Sequence, residues 1–181
     1  DRIYSRQGKY EQLLVNLERQ IEVAATPRQK IGLHERIAAI HDEEFLDHAK
    51  AAHAYEAILK IDSAHDNAIV ALGRHYRALD RWEDVDQLYE RHLKVVEEPQ
   101  RRIEILLSRG RVLQEQIGSP ERAMHAFEKV LEINPEHGPA LEALAHLRES
   151  AGDASSAVAA LEALASKAST PEARSEQYIR A

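Results

Sequence analysis

His34, His41 and His48 follow one another at seven-residue steps, with Asp42, Glu43 and Glu44 beside them, and these residue types can hold a divalent metal. His34 and His41 share a helix face, but the H-x-x-x-H spacing that sets two imidazoles one turn apart is missing, and His48 falls on the following helix. No metal site is therefore expected, and His41 is expected to fill an aromatic slot in the packing. His53 with Glu56 and His125 with Glu128 are i, i+3 pairs of the kind that make solvated surface contacts. The His41 to Glu44 run, HDEE, has no metalloprotease pattern. G-x-S-x-G, P-loop and G-x-G-x-x-G sequences are absent, and with no Cys there is no thiol nucleophile, disulfide or thiolate zinc site. Carboxylates are abundant on what reads as a helical surface, so a close pair would arise there by chance. No catalytic residue and no cofactor are expected, and the chain does not read as an enzyme.

The charge balance narrows the partners. With 24 Lys and Arg against 31 Asp and Glu, the net charge is −7, which argues against nucleic acid because phosphate binding needs clustered cations. No apolar run approaches the ~20 residues that span a bilayer, so membrane insertion is not expected. No secretory signal opens the chain. Absence of Cys fits a reducing compartment, and the loosely matched, alanine-rich repeats described below make a cytoplasmic protein the expectation.

Pro27, Pro99 and Pro171 stand 72 residues apart each time, and other residues keep the same step. Tyr4 falls on Tyr76, Tyr10 on Trp82, Ile31 on Ile103, Ala51 on Ala123, Tyr55 on Phe127, Glu56 on Glu128 and Leu59 on Leu131. Trp82, sharing a slot with Tyr10, reads as packing rather than ligand stacking. Each block divides again into two similar halves, so the unit is about half that length. Apolar i, i+3, i+4, i+7 spacing predicts helices over 9–25, 28–43, 47–61, 66–79, 82–97, 100–117, 120–133, 138–151, 154–168 and from 171 on. Thr26-Pro27, Ser119-Pro120 and Thr170-Pro171 each offer a capping hydroxyl followed by Pro at the first helical position. Asp80 with Glu83 has capping-box spacing, and Asp153 is a further cap. Ile69, Leu72, Gly73 and Tyr76 form a core stripe in which Gly73 is expected to let a neighbouring helix come close.

Residues 66 to 99, DNAIVALGRHYRALDRWEDVDQLYERHLKVVEEP, resemble a tetratricopeptide repeat. Leu72-Gly73, Tyr76, Val85 and Tyr89 match its signature, as do Ala123, Phe127 and Pro135, then Ala145, Ala157 and Leu161. Units are expected at 31–65, 66–99, 103–137 and 138–171, with partial units 1–30 and 172–181, the whole read as a piece of a longer array. Two departures stand out: His41 to Ala51 and Leu113 to Ala123 are one residue further apart than Tyr76 to Val85, which lengthens the turn in alternate repeats, and Arg148 stands where an aromatic is usual.

The resemblance implies an all-α, right-handed superhelical solenoid of antiparallel helix pairs. It also implies that the first helix of each pair lines a concave groove taking a peptide or helical segment of another protein. The groove residues are then Glu35 and Arg36, Asn67, Val70, Arg74 and Arg77, Glu104, Leu107 and Arg111, and Glu142 and His146. Arg74, Arg77 and Arg111 make its middle basic, suited to an acidic partner, unless they pair with Glu104, Asp42 or solvent. The positions of the family's two-carboxylate clamp hold Val70, Arg74 and Ser108, with no Asn, which disfavours a chaperone-tail ligand. Two further readings are an architectural array that self-associates and a targeting module of a larger enzyme.

Overall fold

Short capped helices, each too small to bury its apolar stripe alone, must pack on the next in sequence. The computed structural model describes residues 8–152 together with Val158 and Glu162. Eight α-helices occur among these residues: α1 Tyr10–Val23, α2 Pro27–Glu43, α3 His48–Ile61, α4 Asp66–Ala78, α5 Trp82–Val95, α6 Pro99–Val112, α7 Pro120–Ile133 and α8 Gly138–Ser150. Of the expected helix over 154–168 only Val158 and Glu162 are described, both helical, while the helix from 171 and the caps at Asp153 and Thr170 lie outside the described residues. No described helix is long and apolar enough to cross a membrane. The chain divides into two compact units, Asp1–Val95 and Val96–Ala181.

In the first unit α1 packs on α2, α2 on α3, α3 on α4 and α4 on α5. Leu13, Leu17, Ile37, Ala38 and Ala54 form one buried cluster, flanked by Tyr10, Leu14, Leu33, Ile40 and Tyr55. Ile69, Leu72, Gly73 and Tyr76 are buried along α4, against Val85 and Leu88 of α5. A fully buried Leu stabilises by about 1.5–3 kcal/mol, so this stripe outweighs any local propensity. In the second unit α6 packs on α7 and α7 on α8, around Ile103, Leu106, Leu113, Phe127, Val130, Leu141 and Leu144.

The small residue in the first helix of each pair does not act alike everywhere. Added to Gly73, a Cβ would meet Leu88 Cδ2 at 3.5 Å and Arg77 Nη1 at 3.6 Å, ordinary contact. A close approach at Gly73 is therefore not required. Gly110, which the sequence analysis passed over, is the position that needs glycine: a Cβ there would lie 2.5 Å from Phe127 Cε1 and 2.6 Å from Cζ.

Helix starts follow their caps with two corrections. Thr26 and Gln29 form a full capping box on α2, and the Asp47 carboxylate accepts from Lys50 N at 3.0 Å on α3. Ser119 makes no side-chain cap bond, and Asp80 stands outside the cap of α5, in the left-handed region at φ 54°. His65 takes a role the sequence did not suggest, its Nδ1 accepting from Ala68 N at 3.2 Å.

The one-residue insertion is closed by the same backbone hydrogen bond in both repeats that carry it. Asp47 N donates to His41 O at 2.8 Å, and 72 residues on Ser119 N donates to Leu113 O at 2.8 Å. The residue before each donor is left-handed, Leu46 at φ 52° and Gly118 at φ 70°. The second insertion also widens the end of α6 into a single π turn over Leu113–Ile117, which carries the extra residue with its backbone still bonded. Arg148 finds its explanation in the same register. Tyr76 donates its hydroxyl proton to Glu56 Oε1 at 2.7 Å, and at the equivalent positions Arg148 Nη2 donates to Glu128 Oε1 at 2.9 Å. Guanidinium replaces phenol, and the glutamate partner is kept.

Candidate functional site

On α4 the stripe opposite the core is open. Asn67, Arg74 and Arg77 are exposed, and so is Val70, at 59%. The preceding first helix, α2, exposes Glu35 and Arg36, while Asp42 in its last turn is half-buried. An ion pair ties the two helices, with a histidine and a glutamate near one another beside it. Arg74 Nη2 donates to Asp42 Oδ2 at 2.7 Å, and His65 Nε2 lies 3.8 Å from Glu35 Oε1. Thus Arg74 has the local partner that the sequence left open, and its charge is matched. Arg77 differs: it donates to the neutral Tyr89 hydroxyl and lies over that ring, so it keeps its full positive charge.

The second unit supplies its own first-helix faces. On α6 Glu104 and Arg111 are exposed and Leu107 is half-buried, with Arg101 Nη1 lying 3.6 Å from Glu104. On α8 Glu142 and His146 are exposed, and the Ser150 hydroxyl donates to His146 O at 2.8 Å.

The histidines regroup in a way that spacing along single helices did not reveal. His34 and His41 stay on α2, half-buried, and burial pushes both below the ordinary imidazole range. His48, at the start of α3, instead meets Asp42 of α2 and His75 of α4. His75 is 0% exposed, stacked on Tyr55 with ring centroids 5.6 Å apart, and burial lowers its pKa. No sequence pattern could flag His75, because its companions sit 27 and 33 residues earlier and reach it only through the packing of three helices. Tyr76, its neighbour, has its pKa raised by burial and by the bond to Glu56.

Helix pairs repeating small, aromatic and aliphatic slots at fixed intervals are matched by family models described as tetratricopeptide repeat, over residues 68–103 and 117–175. Together these cover just over half of the chain. The chain belongs to the tetratricopeptide repeat family. Solved TPR structures resemble it at low identity. A crystal structure of MamA matches at 13% identity with a TM-score of 0.55, covering 98% of this chain and 95% of that one. YrrB, described as a TPR protein with an unusual peptide-binding site, matches at 15% identity and TM-score 0.54, covering 90% and 79%. PilF of Pseudomonas aeruginosa matches at 21% identity and TM-score 0.52, covering 98% and 77%. A search of the curated proteins gave no match. These likenesses establish an all-α TPR fold, and that fold supports a protein-interaction scaffold in general terms.

Proposed function

We propose that this chain is a non-catalytic scaffold that takes a peptide or helical segment of a partner protein along the exposed faces of its first helices. In the first unit the contact residues are Glu35 and Arg36 on α2 and Asn67, Val70, Arg74 and Arg77 on α4. In the second they are Glu104, Leu107 and Arg111 on α6 and Glu142 and His146 on α8. The observation that carries this reading is the open face of α4, where an exposed valine is flanked by hydrogen-bonding and cationic side chains. An apolar side chain with hydrogen-bonding and cationic neighbours offers a partner both an anchor and polar contacts.

An acidic partner fits best, because Arg77 can give charge-assisted hydrogen bonds without first breaking an ion pair. Arg74, its side chain 66% exposed, has further N–H donors to offer the partner's carboxylate while it holds Asp42. The description of YrrB as having a peptide-binding site makes peptide capture a natural use of the same fold. The test is a peptide array carrying acidic, neutral and basic sequences, probed with the chain and with the first-unit double variant Arg74→Glu, Arg77→Glu. Acidic peptides should be bound and then lost in the variant. Equal binding by the variant would remove these arginines from the site.

A further inference from the structure

Three helices of the first unit bring Asp42, His48 and His75 to one point, and we propose that these residues form a binding site for a divalent transition ion of the Zn²⁺ class. His48 Nδ1 and His75 Nδ1 are 3.2 Å apart. Asp42 Oδ1 lies 3.5 Å from His48 Nδ1 and 3.8 Å from His75 Nδ1. A tetrahedral ion with bonds of about 2.0–2.2 Å sets its ligand atoms roughly 3.3–3.6 Å apart, so the three atoms stand close to ligand spacing already. Hydrogen bonding alone does not account for the cluster. Only the imidazole pair is within bonding distance, and the two contacts to Asp42 Oδ1 are too long for hydrogen bonds.

The surroundings hold each donor in place. Arg74 binds the other carboxylate oxygen of Asp42 at 2.7 Å, which orients Oδ1 in the way an outer-shell partner orients a metal ligand. His75 is fixed between the rings of Tyr55 and His48, and its Nε2 is buried with no hydrogen-bond partner. A phenylalanine in that slot would leave no polar atom unpartnered, whereas the imidazole there presents Nδ1 to His48 and Asp42. Two imidazoles with one carboxylate favour a borderline ion over Mg²⁺ or Ca²⁺, which prefer oxygen throughout. Half-exposed His48 gives solvent access. The bound ion would cross-link α2, α3 and α4, joining successive repeats of this unit.

Co²⁺ serves as the spectroscopic probe and Zn²⁺ as the competitor, titrated into the full chain. Because His75 is core, the variants are His48→Ala and Asp42→Asn, with the exposed His53→Ala as control. The proposal requires one Co²⁺ per chain with visible absorption of tetrahedral strength, displaced by Zn²⁺, and a higher unfolding temperature with Zn²⁺. Loss of a ligand should weaken binding by about tenfold or more, given that outer-shell losses alone cost about 10–100-fold. His53→Ala should bind like the parent. Absence of the tetrahedral spectrum, or His48→Ala binding as tightly as the parent, would overturn the assignment.

Discussion

Replacing Gly110 by Ala places a methyl carbon where the ring of Phe127 already lies, at 2.5 Å from Cε1, 2.6 Å from Cζ and 3.0 Å from Cδ1. Phe127 is 2% exposed, so its ring is closely surrounded and something must shift to admit the methyl. Overpacking of this kind costs about 1–3 kcal/mol. Against it stands a gain of about 1 kcal/mol for Ala over Gly inside a helix. The net expectation is a loss of about 1 kcal/mol. Gly73→Ala provides the internal comparison, since its new methyl meets only ordinary contacts at 3.5 and 3.6 Å and should stabilise by about 0.5–1 kcal/mol. One substitution at two equivalent slots should therefore have opposite signs. Urea unfolding followed by far-ultraviolet circular dichroism measures both. Adding Phe127→Leu to Gly110→Ala removes the clashing ring edge, and the pair should couple favourably by about 1 kcal/mol or more in a double-mutant cycle. If Gly110→Ala stabilises as much as Gly73→Ala, the reasoning from helix separation fails.

Arg148→Tyr should be neutral within about 0.5 kcal/mol, because a tyrosine there can donate to Glu128 as Tyr76 does to Glu56, whereas Arg148→Ala should cost about 1 kcal/mol; urea midpoints decide. Thr26→Ala removes the capping box of α2 and should cost about 1 kcal/mol in the same assay. His34 has its pKa lowered chiefly by burial, with His53 and Lys30 adding to the effect. Between that lowered value and the ordinary one near 6.5 the unfolded chain binds more protons, so stability falls as the pH drops through this window. His34→Gln should remove part of the loss seen between about pH 7.5 and about pH 5.5 in urea midpoints, and an unchanged loss would show that His34 titrates as in the unfolded chain.

Helix positions were legible in the sequence because they depend on local patterns. Pro27 with Thr26 marks the start of α2, and Ile69, Leu72 and Tyr76 mark the buried stripe of α4, both found within a residue or two of expectation. Caps were less legible: Ser119 has the right side chain but makes no bond, while His65 makes one through a ring nitrogen that cap preferences do not anticipate. The identity of the crowded glycine was out of reach, since Gly73 and Gly110 sit in equivalent slots and differ only in what packs opposite, Leu88 against Phe127. For the exposed face, α4 periodicity placed Asn67, Val70, Arg74 and Arg77 outside the core. It named Asp42 as one possible partner for the arginines, but it could not say that Arg74 takes it while Arg77 bonds the Tyr89 hydroxyl. The Asp42, His48 and His75 cluster was hidden for the same reason: its donors come from three helices, and only tertiary packing brings them together.

The most direct test of a scaffold that receives its partner on the first-helix face is site-specific photo-crosslinking in the source cells, with mass spectrometry of the products. A photoreactive residue at Val70, on the open face of α4, should give one dominant partner adduct, with the crosslinked partner peptide rich in acidic residues. The same residue at Gln87, exposed on the second helix α5, should give little. Equal adducts from both positions, or partner adducts from Gln87 alone, would contradict the account.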